Sequence, residues 1–356
     1  MKKKIGIIYS SFNNYSLLEN EVLRRVNFCD YPVINIDDHS NLTNQKLGKK
    51  ICEKNNITFE VNKGKGVQLA VNQGINFLSN KFNCEWVFCL QQDIFPLEEN
   101  FFSEFEKKIV NKNLNNIGAI GFNILSRDKM YMNPSIVDKY LNGENVKGWM
   151  GVFILSDTKK EITKLPLKIF IRNYLIKILG NQKLKKRMLS ANAKYRVFSP
   201  ESFHKYDKTA KKYNGLFAVE IPMWGAVAIN VEKWKKNILP SDDFVFHLWF
   251  PDIAFQFMKS GNWITSFTDL YLLNDQKSKE KHGFHWSSAH AGRDKNLRFQ
   301  IEEYGDHLQK WKKKWGFDFE NPMNDYSSIR ERYKDTIIDK FYDHDCRDGP
   351  IKSFLL

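Results

Sequence analysis

The chain has 356 residues, 42% of them hydrophobic and 27% charged, with a formal net charge of +14. That length buries roughly three quarters of the unfolded surface, so no disulfide or metal staple is needed to complete a core. The five cysteines (Cys29, Cys52, Cys84, Cys89 and Cys346) are odd in number and never fall as C-x-x-C, which argues against a disulfide framework or zinc ribbon and for reduced thiols.

The N-terminus, MKKKIGIIYSSFNNY, has the charge of a signal peptide, but its apolar run is too short for one and suits a first strand instead. No stretch approaches the ~20 apolar residues that span a bilayer. A cytoplasmic protein is the expectation, peripheral at most on the inner face of the cell membrane.

Across the first 125 residues strand and helix patterns alternate. Strands are expected at Lys4–Ser10, Val33–Asp37, Ile57–Val61, Trp86–Leu90 and Ile117–Asn123. Between the third and fourth, Val67, Ala70, Val71, Gly74, Ile75 and Leu78 fall on one helical face. Strands separated by helices of ten to fifteen residues imply βαβ units and a mostly parallel sheet. In such sheets ligands bind beyond the carboxyl ends of the strands. Two strand ends there carry acidic residues: VINIDDHS, ending on Asp37 and Asp38, and WVFCLQQD, ending on Gln91, Gln92 and Asp93. Polar residues also end strands for purely local reasons, as turns or helix caps.

After Ser156 the pattern changes. From Asp157 to Lys212 there are sixteen Lys and Arg against four Asp and Glu, so this one segment holds twelve of the fourteen excess positive charges. Within it, LPLKIFIRNYLIKILG has Pro166 suited to a first helical turn and Gly180 suited to a C-terminal cap. Its broad apolar face with a narrow cationic stripe fits either a helix lying in a membrane interface or a core helix with one wet edge. Few aromatics interleave the charge, so an anionic membrane surface is favoured over nucleic acid, and no nucleic-acid partner is expected. Regular structure resumes at Phe217–Trp234 and Ser241–Trp263, followed by helical stretches near Lys295–Trp315 and Ser327–Tyr342. The expected organisation is an α/β half over 1–125, a linker with a basic helical insertion over 126–216, a second half over 217–270, and a helical extension over 271–356.

The ordered set DDHS, NKGKGVQLAVNQGI, LQQD, WGAVAINVEKW and PDIAFQFMKSG resembles glycosyltransferase family 2 and its GT-A-fold relatives, over about the first 265 residues apart from the basic segment. The resemblance implies a GT-A-type sheet and transfer of a hexose or N-acetylhexosamine from a nucleotide-diphospho-sugar. The acceptor would be a glycan or lipid-linked hydroxyl, the transfer inverting, and the setting surface polysaccharide or lipopolysaccharide assembly. It implies that Asp38, or Asp37, meets the base, that Asn62 and Gly64 sit near ribose, that Lys65 and Lys63 reach phosphate oxygens, and that Gln91 and Gln92 line the nucleotide sugar. Asp93, with a late histidine such as His285 (or His282 or His290), would hold Mn²⁺ or Mg²⁺. The family's first aspartate of that strand end is Gln91 here. Glu220, Trp224 and Gly225 would meet the acceptor, with Trp224 stacking a sugar face.

Asp252 would be the general base, with Asp242, Asp243 and Glu220 as substitutes. It equally suits the first turn of a helix, where a carboxylate complements the macrodipole. Two other readings compete. A sugar-nucleotidyltransferase would carry a Gly-rich, Arg-containing loop where this chain has YSSFNNY. A non-catalytic protein would bind membrane or nucleic acid through the basic segment, indifferent to Asp93.

Overall fold

The computed structural model describes residues 4–24, 26, 28, 30–92, 94–96, 98–110, 112, 114–126, 153–154, 216–218, 221–222, 226–274, 297–319 and 326–339. The basic segment lies outside them, as do Asp93, Glu220, Trp224, Gly225, His282, His285 and His290.

Four parallel strands make one half of the sheet: β1 (Ile5–Ser11), β2 (Val33–Asp37), β3 (Thr58–Val61) and β4 (Trp86–Gln91), in the order β3-β2-β1-β4. β1 is central, with Tyr9 opposite Asn35 on one side and Leu90 on the other. Strands β1, β2 and β4 are buried on both faces almost throughout. That double burial is why they are apolar without alternation, as parallel strands between helical layers must be.

The other half brings together distant segments. β6 (Ile117–Ser126) and β11 (Trp263–Asn274) run parallel to each other. β10 (Val227–Asn230) is wedged antiparallel between β4 and β6. At the far edge β11 also takes β5 (Phe95–Pro96) and β8 (Leu216–Ala218), both antiparallel. Pro96 therefore occupies a short edge strand, where a missing N–H is tolerated. Among the described residues a separate antiparallel pair joins β7 (Phe153–Ile154) to β9 (Ile221–Pro222).

The chain leaves β4 at Gln91, whose O accepts from Ile94 N at 3.0 Å, and pairs next with β11 through Phe95 and Pro96.

Helices cover both faces. On one, α1 (Tyr15–Leu17, continuing as a π turn through Val22), α2 (Leu42–Lys54) and α4 (Phe101–Val110) share a core with Ile7, Tyr9, Trp86, Phe88 and Ala228. Phe88 is its centre, ringed by Phe101, Phe102, Phe105 and Phe122 at 4.7–5.9 Å between centroids. On the opposite face lie α3 (Val67–Phe82), α5 (Val231–Asn237) and α6 (Trp249–Lys259), packed on Ile8, Ile34, Val87, Val227 and Ile229. The C-terminal helices α7 (Leu297–Trp315) and α8 (Tyr326–Arg332) contribute Trp311, Trp315 and Ile329 to that same cluster. They complete the core instead of trailing from it. No helix among the described residues is long and apolar enough to cross a membrane. Burial pushes the thiols of Cys52 and Cys84 up, to about 12 and about 11, and raises that of Cys89 as well, so none of the three is a ready nucleophile.

The amphipathic face expected on α3 is the one that packs on the sheet: Val67, Ala70, Val71, Gly74, Ile75 and Leu78 are all buried. Gly74 is there for closeness, since a Cβ would stand 2.6 Å from Ile8 Cδ1 and 2.7 Å from its Cγ1. Gly74→Ala sets a helix-propensity gain of up to about 1 kcal/mol against overpacking of about 1–3 kcal/mol. A lower Tm than wild type is expected by calorimetry; a higher one would mean that Ile8 yields freely.

Candidate active site at the carboxyl edge of the sheet

The strand ends are tied by side chains, not left as open turns. At the end of β1, Ser11 Oγ donates to Asn35 Oδ1 at 2.6 Å, and Ser11 O accepts from Asp38 N at 2.8 Å. The following loop takes two successive left-handed residues, Asn13 and Asn14, and Asn13 N donates to Ser40 Oγ at 2.7 Å. Asn41 then caps α2 by accepting from Asn44 N at 2.9 Å.

The two aspartates ending β2 divide their work. Asp37 is fully buried; its Oδ2 accepts from Tyr15 Oη and its Oδ1 from Ser40 N at 2.9 Å. It builds the turn, and burial beside that carboxylate holds the Tyr15 phenol far above its ordinary range. Asp38 reaches across to the next loop. Its Oδ1 accepts from Asn62 Nδ2 at 2.8 Å and from Gly66 N at 2.9 Å. Asn62, only 2% exposed, folds its own loop by donating to Gly66 O at 3.1 Å and accepting from Gly64 N at 3.1 Å. His39, left-handed at φ 63°, closes on Gly64 O at 2.6 Å through Nε2.

Gly66 is the tightest point. Its φ is +90°, and a Cβ would lie 2.6 Å from Val245 Cα and 2.7 Å from Val245 O. The next residue, Val67, donates its N–H to that same carbonyl at 2.9 Å. The loop from Ile238 to Leu248, distant in sequence, is thus drawn to the start of α3. Lys65 is exposed beside this junction, whereas Lys63 turns to the outer flank of α3.

Asp252 sits in the first turn of α6, three residues into the helix, and is 0% exposed. Its Oδ2 accepts from Gln68 Nε2 at 3.1 Å and Gln256 Nε2 at 2.9 Å, and its Oδ1 from Trp315 Nε1 at 2.9 Å. The Lys314 ammonium spans both oxygens, at 2.8 and 2.9 Å. Gln68 also donates to Trp249 O and accepts from Ser241 N. This departs from the expectation of a general base. A carboxylate without exposed surface, bonded by four side chains from three helices, braces those helices and presents no face to an acceptor. Asp242 and Asp243, by contrast, are exposed on the loop that abuts Gly66.

Gln91 is half-buried at the end of β4, and Gln92 is buried, its Nε2 donating to Phe12 O at 3.1 Å. Gln92 therefore fixes the loop after β1. Among the described residues no three His, Cys, Asp or Glu side chains converge on a metal-holding point; the expected ligands Asp93 and His285 are outside them.

The structure thus brings Asp37, Asp38, Asn62, Gln92 and Asp252 to one edge, with residues 66–68 linking Asp38 to Asp252. Sequence reasoning missed Gln68, Lys314 and Trp315. Gln68 had a signal, being an amide within the apolar stripe of α3. The pair in KKKW had none.

No protein-family model and no curated protein matches the chain. Solved structures do. The crystal structure of GalNAc-T7 with UDP, GalNAc and Mn²⁺ aligns with 97% of this chain and 57% of its own, at 11% identity and a TM-score of 0.52. The fold is of the GT-A type. TarS of S. aureus (10% identity, 87% of this chain and 43% of that chain, TM-score 0.42) is similar more loosely. So is the mannosyltransferase PcManGT from Pyrobaculum calidifontis in complex with GDP-Man and Mn²⁺ (11% identity, 96% of this chain and 74% of that chain, TM-score 0.46). The GT-A chain therefore spans about half the length of the TarS and GalNAc-T7 chains it matches.

Two predictions follow from the geometry around α6. Asp252→Ala strands a lysine, two amides and an indole N–H, a loss of about 3–5 kcal/mol, and a correspondingly lower Tm is expected. If the residue were instead a base, Asp252→Asn would keep its Tm and lose turnover. The second concerns His247, whose imidazole burial pushes down from 6.5 to about 4. The unfolded chain then binds the extra proton first, so this contribution is intact above about pH 6.5 and is lost as pH falls toward 4. His247→Asn should flatten that acid limb in denaturant titrations; an unchanged limb would remove His247 as its source.

Proposed function

We propose that the protein is a glycosyltransferase that moves a hexose or N-acetylhexosamine from a nucleotide-diphospho-sugar to a glycan or lipid-linked hydroxyl. The observation that carries this reading is the Asp38–Asn62–Gly66 bracing on a GT-A-type sheet. It gathers the ends of β1, β2 and β3 and the start of α3 into one rigid floor, where open α/β sheets bind ligands. In this reading Asp38 and Asn62 frame the nucleotide, Lys65 meets phosphate oxygens, and Gln91 and Gln92 line the sugar. The presence of UDP and Mn²⁺ with GalNAc-T7 supports a similar donor here.

Asp93, directly after Gln92, would hold a divalent cation with His285. A carboxylate suits Mn²⁺ or Mg²⁺, which supplies charge stabilisation to a departing diphosphate. Glu220, Trp224 and Gly225 would receive the acceptor. With Asp252 committed to bracing, the acceptor proton would pass to an exposed carboxylate of the Ile238–Leu248 loop, Asp242 or Asp243. A single displacement, hence inversion, needs only one such base. The basic segment supplies the means to work on a membrane surface, as surface polysaccharide or lipopolysaccharide assembly on the cytoplasmic side requires.

Calorimetry with UDP- and GDP-sugars, with and without Mn²⁺, tests the donor. Binding that weakens at least tenfold in Asp93→Ala is the expected result, with slow donor hydrolysis in the wild type. No binding and no hydrolysis across the panel would end the proposal.

A further inference from the structure

The outer flank of α3 carries an open groove of about 720 Å³ between the helix and the loop after β3, running from Asn62 and Gly64 at the carboxyl edge along the helix to Asn80 and Lys81. Asn72, Asn76 and Asn80 line it at intervals of four, so their amides stand in a row about 12 Å long. Two of them are oriented from behind. Asn72 Oδ1 accepts from Trp234 Nε1 at 3.0 Å, and Asn80 Oδ1 accepts from Lys235 Nζ at 3.4 Å. Their oxygens are thereby occupied and their NH₂ groups left to donate. Asn76, between them, is exposed, and its side-chain amide has no hydrogen-bond partner among the described residues.

The groove carries two ammonium groups and one carboxylate. Lys63 and Lys81 line it, and both are exposed. Its one carboxylate, Glu60, is engaged by Gln73 Nε2 at 2.6 Å. Phe77 sits beneath Lys81, whose ammonium lies 5.1 Å from the ring centroid. Amide donors in a row, one aromatic ring and ammonium groups form a surface for hydroxyls, a sugar C–H face and anionic groups. Nucleic acid would call for several stacking rings, and the groove has one.

We propose that this groove binds an acidic oligosaccharide of about two or three rings, bearing carboxylate or phosphate groups, as a stretch of the acceptor away from its reacting end. Asn72, Asn76 and Asn80 donate to ring hydroxyls and to the anionic groups, Lys63 and Lys81 neutralise the charge, and Phe77 takes a ring face once Lys81 swings onto the anion. The proposal extends the transferase reading by giving the acceptor a charge, but binding at the groove does not require transfer.

The test titrates the full chain with trigalacturonate, a glucose 6-phosphate-bearing maltotriose, neutral maltotriose and a thymidine hexanucleotide. Calorimetry reads affinity, and side-chain amide NMR locates the site. The two acidic sugars should bind at least tenfold more tightly than maltotriose, shift the Asn76 amide signals, and lose tenfold or more in Asn76→Asp and in Lys81→Glu. Preference for one acidic sugar distinguishes a carboxylate from a phosphate. Nucleotide-sugar hydrolysis should be unchanged in both variants, so a silent groove beside an active donor site would sink this proposal alone. Equal binding of maltotriose, binding of the hexanucleotide that Lys81→Glu abolishes, or acidic-sugar binding that both variants retain would each overturn it.

Discussion

Three consecutive residues at the start of α3 hold the carboxyl edge of this protein together. Gly66 gives its N–H to the Asp38 carboxylate, Val67 gives its own to Val245 O, and Gln68 gives its side-chain amide to Asp252. Each bond reaches a different part of the chain. Because Gly66 has φ +90° and backbone against its α-carbon, no other residue brings the three partners so close. Without that junction the strand ends would be separate turns, and the loop carrying Asp242 and Asp243 would have no fixed relation to Asp38.

Two buried carboxylates flank this junction and solve burial differently. Asp38 is satisfied by a side-chain amide and a backbone N–H from a loop next to it in the sheet. Asp252 lies in the interior and needs a cation. Lys314 supplies it while remaining 33% exposed, so one end of the pair stays hydrated. Both arrangements fix the carboxylate in place through several donors. In the proposed transferase the reactive carboxylates then belong on the exposed loop, and the buried ones keep that loop in place.

The junction also explains why α7 and α8 are part of the core. Trp315 donates to Asp252 through its indole, and its backbone carbonyl accepts from Tyr333 Oη at 2.6 Å. The C-terminal helices are thereby tied to Asp252 at the start of α6.

Much of this was legible from the sequence. Short uninterrupted apolar runs such as WVFCL, bounded by polar residues, fit strands buried on both faces, and the spacing from Val67 to Leu78 presents one helical face, so the parallel β1–β4 half was readable from pattern and run length together. Acidic and amide residues at the ends of β2 and β4 were expected at the carboxyl edge, and Asp37, Asp38, Gln91 and Gln92 stand there because strand polarity fixes which end that is. What periodicity could not decide was pairing across long separations. β10 enters between β4 and β6 from more than a hundred residues away, and β5 leaves β4 to join β11. Nor could local pattern reveal that Asp252 would meet Lys314 and Trp315, which follow it by 62 and 63 residues. A carboxylate in a first helical turn looks alike whether it faces a cleft or a second helix. Hydrophobic period is a property of neighbours along the chain, while the environment of a charge is set by what the finished core brings against it.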